Sequence, residues 1–131
     1  MVARTPAGKL VSAFGDWEAM ARLYAPDVEW SLPATLGFPR PMKGLEVVRA
    51  FNEEVWTVYY RPDCSVTILD EAGDERISAV RFIYQAHALR LNRVYQNEYT
   101  IFVRADETGI REVHEAFDTA FAANFLSQDP V

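Results

Sequence analysis

Three long segments in the second half of the chain constrain its fold more than any other feature. Ile77–Leu91, Val94–Arg104 and Ile110–Phe117 are rich in β-branched and aromatic residues, and only short turn sequences, Asn92–Arg93 and Ala105–Gly109, separate them. Side chains of a strand alternate between its two faces, so such segments joined by tight turns predict an antiparallel meander with one face on a core. A shorter strand, Val66–Leu69, leads into the first of them through Glu71–Asp74, which has the chemistry of a hairpin turn.

Upstream the period changes to that of a helix. Leu10, Val11 and Phe14 begin an apolar face, Gly15 interrupts it, and Asp16 is placed to cap a second helix, DWEAMARLY. In that helix Trp17, Met20, Ala21 and Tyr24 fall at i, i+3, i+4 and i+7. Pro26 and Asp27 are expected to stop it. Val28, Trp30 and Leu32 then alternate with Glu29 and Ser31, as in a half-buried strand. Pro33–Pro41 holds three prolines and Gly37 and reads as a loop; its Leu36 and Phe38 suit a lid over a pocket. Gly44 precedes a third helix with Val47, Val48, Phe51, Val55 and Val58 at helical spacing, and Asp118 or Thr119 caps a last one, TAFAANFL. Helices followed by a meander make an α+β pattern, and residues 1–131 form a single domain without repeats or linkers.

Composition excludes several functions. The chain carries 13 basic and 19 acidic residues for a net charge of −6, and Arg76, Arg81, Arg90, Arg93 and Arg104 are scattered among carboxylates. Nucleic acid binding needs a clustered positive face, so none is expected. Cys64 is the only cysteine, which rules out an intrachain disulfide and a cysteine-rich metal site. The start, MVARTPAGKLVSAF, lacks the apolar run of a signal peptide, and no stretch approaches the roughly 20 apolar residues of a membrane span. A soluble, cytoplasmic protein with no membrane partner is the expectation. The six glycines are isolated, so there is no phosphate loop, and no Ser-His-Asp order with an elbow motif appears. His87 and His114 are not at ligand spacing, so no metal site is expected. A site without cofactor, built on carboxylates, tyrosines and arginine, remains.

Glu115 is the sharpest candidate. On the last strand Val113, Glu115 and Phe117 share one face, while Glu112, His114, Ala116 and Asp118 share the other. The first set is apolar apart from the glutamate, which points that face inward. A carboxyl among apolar neighbours has its pKa raised by desolvation, as general acids and bases require; the alternative is a structural glutamate paired with an arginine. Tyr95, Asn97 and Tyr99 share a face of the preceding strand, either as donors to a ligand oxygen or as amphipathic filling of a curved sheet. Arg81, between Val80 and Phe82, faces solvent or turns inward to orient Glu115. Trp17, Tyr24, Trp30 and Trp56 are core or cavity wall, and Leu32, Phe38, Val113 and Phe117 complete the set of residues expected around an apolar ligand.

The segments GDWEAMARLYAPDVEWSLP, KGLEVVRAF and YQNEYTIFVRADETGIREVHEAFDTAF together resemble the SnoaL-like and ketosteroid-isomerase-related branch of the nuclear transport factor 2-like superfamily, over roughly residues 10 to 126. The resemblance implies a cone-shaped, strongly bent antiparallel sheet wrapped by helices around a deep apolar pocket. It also implies a homodimer formed through the outer face of the sheet, here the row of His114 and Ala116. The isomerase residues do not transfer. Leu32, before Pro33, stands where the isomerases' base would be, Gly8 lies near the place of their tyrosine, and Thr100 or Ile101 near that of their second acid. The Arg-Asp-x-x-Asp pattern of the cyclases and limonene epoxide hydrolases falls on His114-Glu115-Ala116-Phe117-Asp118, so Glu115 takes the place of the acid/base aspartate. Arg81 falls near the hydrolases' arginine, but Ile83 replaces its partner aspartate, and the cyclases' histidine has no counterpart.

These readings converge on an enzyme without cofactor that acts on a small, mostly apolar oxygenated molecule by isomerisation, cyclisation or dehydration. Glu115 would move the proton, Tyr99 and Asn97 would polarise the oxygen, and Arg81 would tune the glutamate. A non-catalytic ligand-binding domain and a dimerising interaction domain are the alternatives.

Overall fold

The computed structural model describes residues 3–131. Two short helices open the chain. The first, α1 (Pro6–Ser12), starts where Thr5 Oγ1 accepts from Gly8 N at 3.1 Å and Pro6 supplies the fixed first turn. Its next free donor, Ala7 N, reaches Ser78 Oγ at 3.0 Å, which ties the helix to the sheet. The second, α2 (Trp17–Ala21), is capped by Asp16, which accepts from Ala19 N at 3.0 Å. Gly15 between them has φ +94°, and a Cβ there would lie 2.2 Å from the carbonyl oxygen of Pro62, so no side chain fits.

Strand β1 (Tyr24–Ser31) follows at once. The expected continuation of the second helix to Tyr24 is therefore corrected: the helix ends at Ala21, and Tyr24 begins the strand because its backbone pairs with Ile110. After a single 3₁₀ turn at Ala34–Leu36 comes the two-residue β2 (Met42–Lys43), then α3 (Leu45–Glu54). The helix runs on as a π-helical turn, Val55–Tyr59, closed by Tyr60 N donating to Val55 O at 2.9 Å. This widened turn rotates the phase of the last residues. Val48 is fully buried, but two residues expected on the core stripe are not: Val58, within the widened turn, is 55% exposed, and Val47, in the first turn of α3 and upstream of it, is 50% exposed.

The remaining strands are β3 (Ser65–Gly73), β4 (Ile77–Ala88), β5 (Arg93–Asp106) and β6 (Gly109–Phe117), and α4 (Thr119–Leu126) ends the fold under an Asp118 cap. The expected meander is present: β4, β5 and β6 are consecutive antiparallel neighbours. The sheet has the order β2-β1-β6-β5-β4-β3 and is antiparallel throughout except at one seam, where β1 runs parallel to β6. Its inner face carries Val80, Phe82, Ile101, Val103 and Val113, which pack with Leu10, Val11 and Met20 into a continuous core. Hydrophobic burial of this face against the helices holds the curled sheet closed.

Gly15→Ala is expected to lower unfolding free energy by about 2 kcal/mol or more, since it combines a left-handed backbone with a backbone clash. Urea denaturation should show an earlier midpoint with an unchanged slope.

Candidate functional site

At one end of the fold the helices leave the inner face of the sheet uncovered. A cavity of about 240 Å³ opens there between β4–β6, α3 with its π-helical turn, the loop after β1, and α4. Eleven of its eighteen lining residues are aromatic, and none is Lys, Arg or His, so the space favours an apolar ligand without negative charge. Most of the rings meet at steep angles, among them 60° for Trp30 and Phe51, 76° for Tyr60 and Tyr84, and 77° for Tyr84 and Tyr99, while Tyr60–Tyr95 and Tyr99–Phe117 lie at 32° and 34°.

Glu115 enters this cavity from β6 because strand alternation puts it on the face of Val113 and Phe117. Its Oε1 accepts a hydrogen bond from Trp30 Nε1 at 3.0 Å, across the parallel seam. Among the described residues no hydrogen bond reaches Oε2, and that atom is not sealed inside the fold, so it opens onto the cavity. Loss of water raises the carboxyl from an ordinary 4.5 to about 7, with the Trp30 bond pulling the other way. The group is thus poised to hold or release a proton near neutrality.

The neighbouring strand β5 supplies a pair of hydroxyls to the same face. Tyr95 and Tyr99 both line the cavity, and their oxygens are 2.8 Å apart. Asn97 lies between them on β5 but does not reach the cavity; its Nδ2 donates to Tyr95 Oη at 2.9 Å and to the carbonyl of Asp118 at 3.1 Å. Burial first, then neighbouring Tyr95 and Glu115, push the Tyr99 hydroxyl well above its ordinary range, so it stays a neutral donor. Trp56 Nε1 donates to Tyr84 Oη at 2.9 Å and fixes the floor.

Of the residues expected around a ligand, Trp30, Leu32, Phe38, Trp56 and Phe117 line the cavity. Three do not. Tyr24 is buried behind Trp30, donating to Asn52 Oδ1 at 2.5 Å; Val113 is fully enclosed in the core; and Trp17 packs half-buried on the core from α2. Arg81 is also corrected: it lies on the outer face, bonded to Asp70 at 2.7 Å and to Glu98 at 3.0 Å, and cannot orient Glu115. Its strand position alternates with inward Val80 and Phe82. Tyr84, Tyr60, Phe51 and Asn52 belong to the wall and were missed. The alternation of β4 carries the signal for Tyr84, two residues after Phe82; Tyr60 follows a π-helical turn, which regular periodicity does not describe. No three His, Cys, Asp or Glu side chains among the described residues converge on a possible metal position, and none of the helices described is long and apolar enough to cross a membrane.

Residues 11–114 match the model of the SnoaL-like domain, and the chain belongs to that family. Solved structures share the fold. A nuclear transport factor 2-like protein of unknown function from Burkholderia pseudomallei aligns over 94% of this chain and 95% of its own, at 19% identity and a TM-score of 0.77. IdmH, a candidate polyketide cyclase from Streptomyces antibioticus, aligns over 94% and 96%, at 21% identity and 0.72. A candidate SnoaL-like polyketide cyclase from Jannaschia sp. aligns over 99% and 100%, at 11% identity and 0.76. No curated protein matches the sequence.

The raised carboxyl makes stability depend on pH. A folded-state pKa above the unfolded one favours the protonated form, so this contribution is complete below 4.5 and is lost as pH rises to about 7. The unfolding free energy of the wild type minus that of Glu115→Gln should fall by about 3 kcal/mol between pH 4 and pH 8. Parallel denaturation series measure it.

Proposed function

We propose that this domain is a cofactor-independent acid/base enzyme that isomerises, cyclises or dehydrates a small, mostly apolar oxygenated molecule. One observation carries the reading: a carboxyl held near neutrality presents a free oxygen to an aromatic cavity that also holds the Tyr95–Tyr99 hydroxyl pair. Glu115 Oε2 takes a proton from one position of the ligand and returns it to another, so the protein ends as it began. Negative charge developing on the ligand oxygen is met by the Tyr99 hydroxyl. Asn97 donates to Tyr95, whose oxygen lies 2.8 Å from that of Tyr99; in this reading Tyr95 donates to Tyr99, and the Tyr99 proton turns to the ligand. Each donor in such a chain polarises the next. The cavity's rings bind the apolar body and exclude water, which strengthens these interactions. The polyketide cyclase names carried by two structural relatives agree with this chemistry.

Deuterium exchange from heavy water into a panel of small neutral ketones and phenols, followed by NMR, tests the reading. Glu115→Gln keeps the shape and should lower the exchange rate about 100-fold or more, with affinity little changed. Equal exchange in the variant would remove Glu115 from the chemistry. Ligands that bind without any exchange would reduce the domain to a binding module.

We also propose a homodimer paired through the outer face of the sheet, where Ile83, Phe102, His114 and Ala116 lie between the charged pairs. Light scattering should give twice the 14.9 kDa chain mass at micromolar concentration. A monomer across the whole concentration range would overturn it.

A further inference from the structure

Trp30 is the one group that hydrogen-bonds the Glu115 carboxyl among the described residues. Its ring is 2% exposed, and its indole N–H makes no other hydrogen bond there. The two residues lie on neighbouring strands, where Trp30 is in register with Val113, two positions before Glu115. The ring is wedged between Tyr24, at 89° and 6.4 Å, and Phe51, at 60° and 5.9 Å, so its N–H direction is fixed by packing. An indole nitrogen can only donate. The oxygen it faces must therefore accept, in either protonation state of the carboxyl.

Resting on the acid/base reading above, we propose that Trp30 is a positioning residue that pins Glu115 Oε1 as acceptor and so confines the exchangeable proton to Oε2, the oxygen open to the cavity. The carboxyl then has one chemically active oxygen with one orientation. A ligand meets the proton, or the basic lone pair, at a single point of the wall. The titratable groups facing the carboxyl are Tyr24 on β1, Tyr60 after the π-helical turn, and Tyr95 and Tyr99 on β5, all phenols whose ionisation is pushed upward. The cavity-lining residues of α3 and α4 include no charged group, and His87 and His114 lie on the outer face.

Three measurements on the free protein test this without any substrate. In wild type, the Trp30 indole N–H resonance should titrate together with the Glu115 carboxyl carbon, and it should be flat in Glu115→Gln. Trp30→Phe removes the donor and should move the carboxyl midpoint upward by about one pH unit, the size of a charge-assisted hydrogen bond. Infrared difference spectra locate the proton. With the proton on Oε2 the carbonyl is Oε1, so its stretch should rise in frequency when Trp30→Phe removes the indole donor. An indole resonance that stays fixed while Glu115 titrates would overturn the proposal even if Trp30→Phe failed to fold. So would a carbonyl stretch indifferent to Trp30. Failure of deuterium exchange would bear on the reaction and leave these spectra untouched.

Discussion

The hydrogen bond from Trp30 to Glu115 is the interaction on which the site depends, and it is made across the one parallel seam of the sheet. Antiparallel neighbours can be joined by a tight hairpin and lie close in sequence, as β4, β5 and β6 do here. The parallel pairing of β1 with β6 instead brings together residues 85 positions apart, at the place where the sheet leaves the core and enters the cavity. A carboxyl on that inner face has lost much of its water. One good donor moderates the cost of ionising it without removing the cost, which leaves the group near neutrality rather than fully ionised.

The cavity stays open for a related reason. Its walls are large rings, most of them meeting at steep angles, and two pairs are held by their polar ends: Trp56 to Tyr84 and Tyr95 to Tyr99. Rings tethered in this way cannot slide together to fill the space. The curl of the sheet contributes as well. Tyr95 and Tyr99 are four residues apart on one strand, about 13 Å along an extended backbone. Their hydroxyls nevertheless meet at 2.8 Å, because a concave strand tips the side chains of its inner face toward each other. The π-helical turn adds Trp56, Tyr59 and Tyr60 to the same space, and such turns often occur where a helix serves a site rather than a core.

The two faces of the sheet thus divide the charges. Arg81, Asp70 and Glu98 form a cluster on the outside, and Arg104 pairs with Glu112 there, while among the described residues Glu115 is the one carboxyl that lines the cavity. Outer pairs of this exposure contribute little to stability, and their service is to solubility and register. The inner carboxyl has no cation to neutralise it. That asymmetry sets its proton affinity.

The sequence by itself determined the strand order of the meander, the Asp16 cap, a cap at Asp118 or Thr119 that the structure assigns to Asp118, and the shared face of Val113, Glu115 and Phe117, because caps and alternation are local and are written in neighbouring residues. Alternation assigns residues to two faces but does not say which face is covered. Arg81 could therefore be read either way until Val80 and Phe82 were seen to pack inward. Tyr24 illustrates a second limit: helical spacing with Trp17 pointed to a longer helix, and pairing with Ile110 drew it into a strand instead. The partner of Glu115, the opening of the cavity between the sheet and α3, and the presence of Tyr60 and Tyr84 on its wall were decided only by tertiary structure. Each depends on where segments far apart along the chain come to rest against one another, and no local period records that.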